Sequence, residues 1–250
     1  MIGIIGAITE EISAIVAEMA DGSAVSVKGM RSYHVGAVWG VPVVAVYARI
    51  GKVAAASTAT HLISDFKVDQ IIFTGVAGGV DQSLNVGDIV VAGDLYQHDM
   101  DARPLFDRHE IPLLGKTSFS TSHNLRGKCL AASQQFLSDD LKTVVSQDTL
   151  ARFNIVNPKA VEAAIASGDK FFNDHTETEE LARRLPVACV EMEGAAVAQV
   201  CHEYEIDYAV IRTISDSANL SAHIDFAAFI HEIAAIYSHG ILKRVLERRP

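Results

Sequence analysis

Short apolar runs alternate with longer alanine-rich or amphipathic stretches along this chain, and the alternation predicts its elements. Met1–Ala7, Val41–Arg49, Gln70–Thr74, Gly87–Ala92, Leu185–Val190 and Tyr208–Thr213 are nearly continuous apolar runs with a β-branched bias, and read as buried strands. Glu10–Met19, Lys52–Phe66, Glu193–Tyr204 and the closing Phe226–Leu246 read as helices. Thr9 is placed to cap the first helix, and Gly51 turns the chain into the second. Asn157-Pro158 is a good helix start with proline in the first turn, which predicts a short helix over 158–165. Thr176 and Glu179, ahead of LARRL, have capping-box spacing. TGVAGG (74–79) reads as a tight glycine turn after a strand, where backbone could approach a ligand.

Strands buried on both faces and separated by helices define an α/β chain. The predicted architecture is a three-layer α/β/α arrangement with a mostly parallel or mixed central sheet. No repeat, low-complexity tract or linker interrupts residues 1–250, so one domain is the economical reading. Ligands of such sheets sit beyond the carboxyl ends of the strands.

Composition narrows the function classes. Apolar residues make up 49% of the chain, enough for a large core. No apolar stretch reaches the roughly 18 residues of a membrane span. MIGIIGAITEE lacks the basic start of a secretory signal. A net charge of −10 and a pI near 5.4 argue against nucleic acid or an anionic membrane as partner. Cys129, Cys189 and Cys201 are odd in number and form no CxxC pair, so they read as reduced, buried thiols of a cytoplasmic protein.

Three carboxylates add chemistry. Glu11 in IGIIGAITEE, Glu193 in VACVEMEGAAVAQV and Asp216 in VIRTISDSAN each lie beside a strand end or a helix start. Burying a carboxylate costs several kcal/mol unless it is paired, so three at one rim suggest acid/base work on a neutral or cation-forming substrate. Glu191 and Glu193 flank Met192 at a helix start, where acids also suit the dipole; two residues apart they do not share a face, so their roles differ. Asp216 alone also reads as an N-cap or Asx-turn. Arg212 would lower the pKa of any carboxylate it touches. Neither GxGxxG nor a P-loop is present. His98-Asp99-Met100-Asp101 reads as a polar loop or interface rather than a metal site, because further ligands are missing and Arg103 and Arg108 would repel a cation. No metal or cofactor is expected.

Taken together, IGIIGAITEE, IGKVAAA, TGVAGG, VGDIVV, YQHDMD, SGDKFF, VEMEGAAVAQVC and RTISDSAN resemble, in order and over nearly the whole chain, the nucleoside phosphorylase/hydrolase superfamily. Within it they resemble the 5′-methylthioadenosine/S-adenosylhomocysteine nucleosidases. The combination of VEMEGAA with RTISD is specific; TGVAGG adds little. The resemblance implies a small nucleoside substrate and N-glycosidic hydrolysis. It makes Glu11 the acid that positions and deprotonates water, Glu193 the acid that grips the ribose hydroxyls, and Asp216 the acid that protonates purine N7. It puts Phe171 and the backbone of Phe172 at the adenine, Met192 on the ribose wall, and Ile50 and Phe226 around the 5′ substituent. Ser215 and Arg212 become supports for Asp216 and the catalytic face. Ile8, Val76, Ala77, Gly78 and Glu191 complete the expected substrate site. Asp216 must carry a proton at the working pH, so local desolvation is expected to offset the pull of Arg212. The resemblance also implies a homodimer in which a partner loop closes the 5′ end. Residues 99–115 and 149–166 depart from the family pattern and are expected to reshape the 5′ pocket or the dimer contact.

Three rivals remain, the first two within the superfamily that the resemblance implies. A phosphorylase would need an arginine near the phosphate, and Arg49 is the candidate. Hydrolysis of aminodeoxyfutalosine, or of AMP with the arginines of the 102–108 loop around its phosphate, is the second. A non-enzymatic binding protein is the third, and it would not need all three acids.

Overall fold

The computed structural model describes residues 1–19, 22–216 and 226–247. Ten strands among them form one mixed sheet. They are β1 (Ile2–Gly6), β2 (Ala24–Lys28), β3 (Arg31–Val38), β4 (Val41–Tyr47), β5 (Gln70–Gly79), β6 (Ile89–Gln97), β7 (Phe119–Ser120), β8 (Ala160–Ser167), β9 (Cys189–Glu191) and β10 (Asp207–Asp216). Helices α1 (Glu10–Ala17), α2 (Lys52–Ser64), α3 (His123–Gln135), α4 (Leu141–Val144), α5 (Gln147–Arg152), α6 (His175–Arg184), α7 (Gly194–Glu203), α8 (Phe226–Phe229) and α9 (Ala235–Leu246) surround it. A π-helical turn joins α3 to α4 and another joins α8 to α9.

The sheet has two regimes. β4, β1 and β5 run parallel, and β10 lies parallel to β5. Beyond β10 the pairings continue through β6, β8 and β9, and β9 returns antiparallel to β5. Those five strands therefore close on themselves, which leaves none of them with an open edge on that side. β2 and β3 extend the other end as an antiparallel pair.

Period-two alternation sorts side chains to the two faces. Ile4, Ile72 and Ile211 meet Ile12, Ile15, Leu125, Tyr237 and Ile241 of α1, α3 and α9 on one side. Ile5, Ile71, Phe73 and Val210 meet Ala55, Ala59, Leu62, Val197 and Cys201 of α2 and α7 on the other. This is the expected three-layer arrangement.

Several local expectations are corrected. The predicted helix over 158–165 is β8, whose Ala-rich sequence is drawn into a strand between β6 and β9. Pairing on both sides outweighs the intrinsic helix preference of alanine. TGVAGG is not a turn: β5 runs through it to Gly79, paired with β10 and β9. The capping box does not form; Asp174 caps α6 instead, accepting from the N–H groups of Thr176 and Glu177. Thr9 occupies the cap position of α1 but makes no side-chain cap bond. β6 extends past Ala92 to Gln97. The expected closing helix is interrupted by its π turn. Nothing in the sequence reading marked β2, β3 or α3, whose half-exposed faces give weak periodicity.

Candidate active site

All fifteen predicted site residues line one cavity at the carboxyl ends of β1, β5 and β10, which Ala7, Gly75, Lys170 and Val190 complete.

Glu11 is held in the first turn of α1 and is buried. Its Oε2 accepts from the backbone N–H groups of Ala7 at 2.6 Å and Ile8 at 3.1 Å, where the chain leaves β1. Two glycines make the room. A Cβ on Gly6 would stand 2.9 Å from the Cβ of Glu11, and one on Gly75 would stand 2.9 Å from its Oε1. Burial pushes the Glu11 carboxyl up to about 7, against the pull of Arg212 and of the N–H groups of Ile8, Ala7 and Val76.

Arg212 lies on β10 and is 1% exposed. Its Nε and Nη2 donate to Glu191 Oε2 at 3.1 and 2.6 Å, and its Nη1 donates to the carbonyls of Ile211 and Phe73. The guanidinium also stacks 4.1 Å over the Phe73 ring. Arg212 thus pairs with Glu191, and the expected support for Asp216 comes from Ser215. Burial alone would lower the pKa of the guanidinium, but Glu191, Glu193 and Glu11 together hold it above its ordinary value.

Glu191 ends β9 and its carboxylate points inward. Besides Arg212 it accepts from Ser167 Oγ, from Gly194 N–H at 2.8 Å and from Glu193 N–H at 3.2 Å. It therefore also caps the start of α7. Glu193, two residues on, stands just before α7; since Glu191 is on β9, neither residue lies in the helix that the two-residue spacing argument assumed. Its Oε1 accepts from the Gly51 N–H at 2.7 Å. Burial raises the pKa of Glu193, the neighbouring Glu191 raises it further, and the Gly51 N–H and Arg212 oppose the shift.

Asp216 is the last residue of β10. The β10–β5 register shifts between Ile214 and Asp216, so that Asp216 pairs with Gly78 and Ser215 is the extra residue. Such a bulge re-aims a side chain at a strand end. Ser215 Oγ donates to Asp216 Oδ2 at 2.7 Å. The remainder of the RTISDSAN motif, residues 217–219, lies outside the described residues. At the mouth, Phe171 and Phe226 meet edge to face with centroids 6.3 Å apart, and Phe171 is 42% exposed. Phe172 and His98 meet edge to face with centroids 5.1 Å apart.

The sequence reading missed Ser167, which bridges Glu191 to the Ala195 N–H, and the Gly51 N–H that holds Glu193. Both lie in motifs already singled out, SGDKFF and IGKVAAA, but nothing in the motifs says which atoms turn inward. Arg49 is not among the lining residues; its Nη2 donates to the Met30 carbonyl at 2.7 Å. Arg103 is held by Asp101 through two bonds of 2.8 and 2.6 Å.

Four acids, Glu11, Glu191, Glu193 and Asp216, thus gather at the strand ends of an α/β fold around one cavity. The sequence profile of the Phosphorylase superfamily matches residues 1–247, and the chain belongs to that superfamily. It is 35% identical over 243 residues to a 5′-methylthioadenosine/S-adenosylhomocysteine nucleosidase of Staphylococcus aureus (strain bovine RF122 / ET3-1), covering 96% of this chain and 97% of the relative. Among solved structures it is similar to the Neisseria meningitidis 5′-methylthioadenosine/S-adenosylhomocysteine nucleosidase in complex with methylthio-immucillin-A, with a TM-score of 0.85, 29% identity and 98% of each chain covered. It is also similar to the futalosine hydrolase of Helicobacter pylori strain 26695, with a TM-score of 0.83 and 31% identity over 98% of this chain and 97% of that one.

Proposed function

We propose that this chain hydrolyses the N-glycosidic bond of 5′-methylthioadenosine and S-adenosylhomocysteine, releasing adenine and the corresponding thioribose. The observation that carries this reading is Glu11, a carboxylate buried on the cavity wall and cradled by two N–H groups, whose pKa that burial pushes up to about 7. A group poised there can take a proton from water and keep it.

The step balances with three acids. Asp216 delivers its proton to purine N7, which makes adenine a better leaving group. The bond from C1′ to N9 breaks with its electron pair going to the base. Water attacks C1′, and its proton passes to Glu11. The sugar passes through an oxocarbenium-like state, which the Glu11 carboxylate stabilises electrostatically. Glu193 receives the ribose hydroxyls, and Phe171 and Phe172 seat the purine.

Water is favoured over phosphate by charge. Arg212 is engaged by Glu191, and Arg49 is turned to a carbonyl. The Arg103–Asp101 pair likewise weakens the reading of an AMP phosphate site in the 102–108 loop. Similarity to the futalosine hydrolase keeps aminodeoxyfutalosine as the second substrate to assay.

The test follows adenine release from 5′-methylthioadenosine in phosphate-free buffer and again with phosphate. Release without phosphate supports the hydrolase; release only with phosphate overturns it in favour of a phosphorylase. A homodimer closing the 5′ end is part of the proposal. The exposed Ile50 and Phe171 at the mouth support it, and a monomeric mass at micromolar concentration would refute it.

A further inference from the structure

The YQHDMD segment is a singled-out motif that the chemistry above leaves without a role, and it sits at a junction. Asp99 uses both carboxylate oxygens. Oδ1 takes the Lys52 ammonium at 2.6 Å and Oδ2 takes the Asp169 N–H at 2.9 Å. Asp169 answers across the same gap, its Oδ1 accepting from the Lys52 N–H at 2.8 Å. Lys52 Nζ reaches Gln97 as well, at 3.2 Å, and its side chain is only 16% exposed. Burial would push the Asp99 carboxyl up, but the Lys52 and Asp169 donors outweigh it and hold it below its ordinary value.

Three elements meet in this clamp: the end of β6, the start of α2, and the segment that follows β8. The last carries Phe171 and Phe172 into the cavity. The start of α2 presents two consecutive N–H groups with different partners, Gly51 to Glu193 and Lys52 to Asp169. The purine side and the ribose side of the cavity are therefore tied through one ion pair and three bonds donated by backbone N–H groups. His98, beside Asp99, packs edge to face with Phe172.

We propose that Asp99 is a positioning residue that, with Lys52 and Asp169, fixes the 169–172 segment and so sets the purine seat relative to the ribose-gripping Glu193. It touches no substrate and acts through Asp169 and Lys52. The proposal rests on the nucleosidase reading for its purine, but the clamp itself does not.

The test uses the full chain and the variants Asp99→Asn, Lys52→Met and their double. With 5′-methylthioadenosine, Asp99→Asn raises KM roughly 10-fold and lowers kcat less than about 3-fold, because the purine seat serves ground and transition states alike. The double variant is no worse than the more affected single, as expected of one unit. Amide hydrogen exchange on the ligand-free protein reads the clamp independently of activity: the Lys52 and Asp169 amides exchange faster in Asp99→Asn. A lower Tm with KM unchanged, additive effects in the double, or unchanged exchange at both amides would each overturn the proposal. Should the wild type release no adenine, the nucleosidase reading fails, and the exchange result alone decides the clamp. Asp99→Glu, which keeps the charge, restores KM more than it restores Tm.

Discussion

Replacing Glu11 with glutamine separates the cost of the buried acid from its use. The Glu11 carboxyl stands at about 7 in the folded chain against an ordinary value of 4.5, and burial is the first cause. A raised carboxyl contributes stability that is fully present below the unfolded value and is lost as pH rises through the folded one. Over the 2.5 units between 4.5 and about 7, the loss comes to about 3 kcal/mol at about 1.4 kcal/mol per unit. Glutamine keeps an oxygen to accept from the N–H groups of Ala7 and Ile8 and never ionises. Glu11→Gln should therefore match the wild type near pH 4.5 and exceed it above pH 7 by up to about 3 kcal/mol. At roughly 2–4 °C per kcal/mol for a chain of this size, that is a Tm gain of roughly 6–12 °C. Hydrolysis should fall by a factor on the order of 100 to 10,000, the usual contribution of a general base. The assay is a set of thermal melts of both proteins from pH 4.5 to 8.5, with adenine release measured on the same samples. A Tm difference that stays flat with pH, or a wild type that is the more stable at pH 8, would refute the reasoning: Glu11 would then be an ordinary, satisfied carboxylate and a poor base.

Other outcomes follow from the same geometry. Asp216→Asn should cut adenine release by a factor on the order of 100 to 10,000 while leaving adenine binding by calorimetry within a few-fold, and near-normal turnover would remove its general-acid role. Glu191→Ala strands Arg212 in the core and should cost about 3–5 kcal/mol in urea denaturation, with a cost below about 1 kcal/mol counting against the inward pairing. Gly75→Ala places a methyl against Glu11 Oε1 and should abolish turnover with a much smaller loss of Tm; a fully active Gly75→Ala enzyme would show that Glu11 can move.

The class of fold, its helix-and-strand alternation and the three acids were legible in the chain itself. Buried strands must be continuously apolar and their helices periodic, and a charge set among such runs stands out because burying it without a partner is costly. Glu191 and Glu193 do have different partners, Arg212 and Gly51, but not for the helix spacing expected of them, because Glu191 ends a strand and Glu193 precedes the helix. What the acids face was not legible. Arg212 lies four residues from Asp216 in sequence, yet its partner is Glu191 on β9, because β9 and β10 both flank β5. β8 was mistaken for a helix because its alanines favour one locally, and only pairing with β6 and β9 overrides that preference. The Asp99 carboxylate looked like solvated polarity in a loop; Lys52 lies 47 residues away and Asp169 lies 70 away, and only the closed sheet brings all three together. Periodicity records which faces each segment buries. Which segments become neighbours is set by long-range strand pairing, and so the chain announced the acids while the tertiary structure chose their partners.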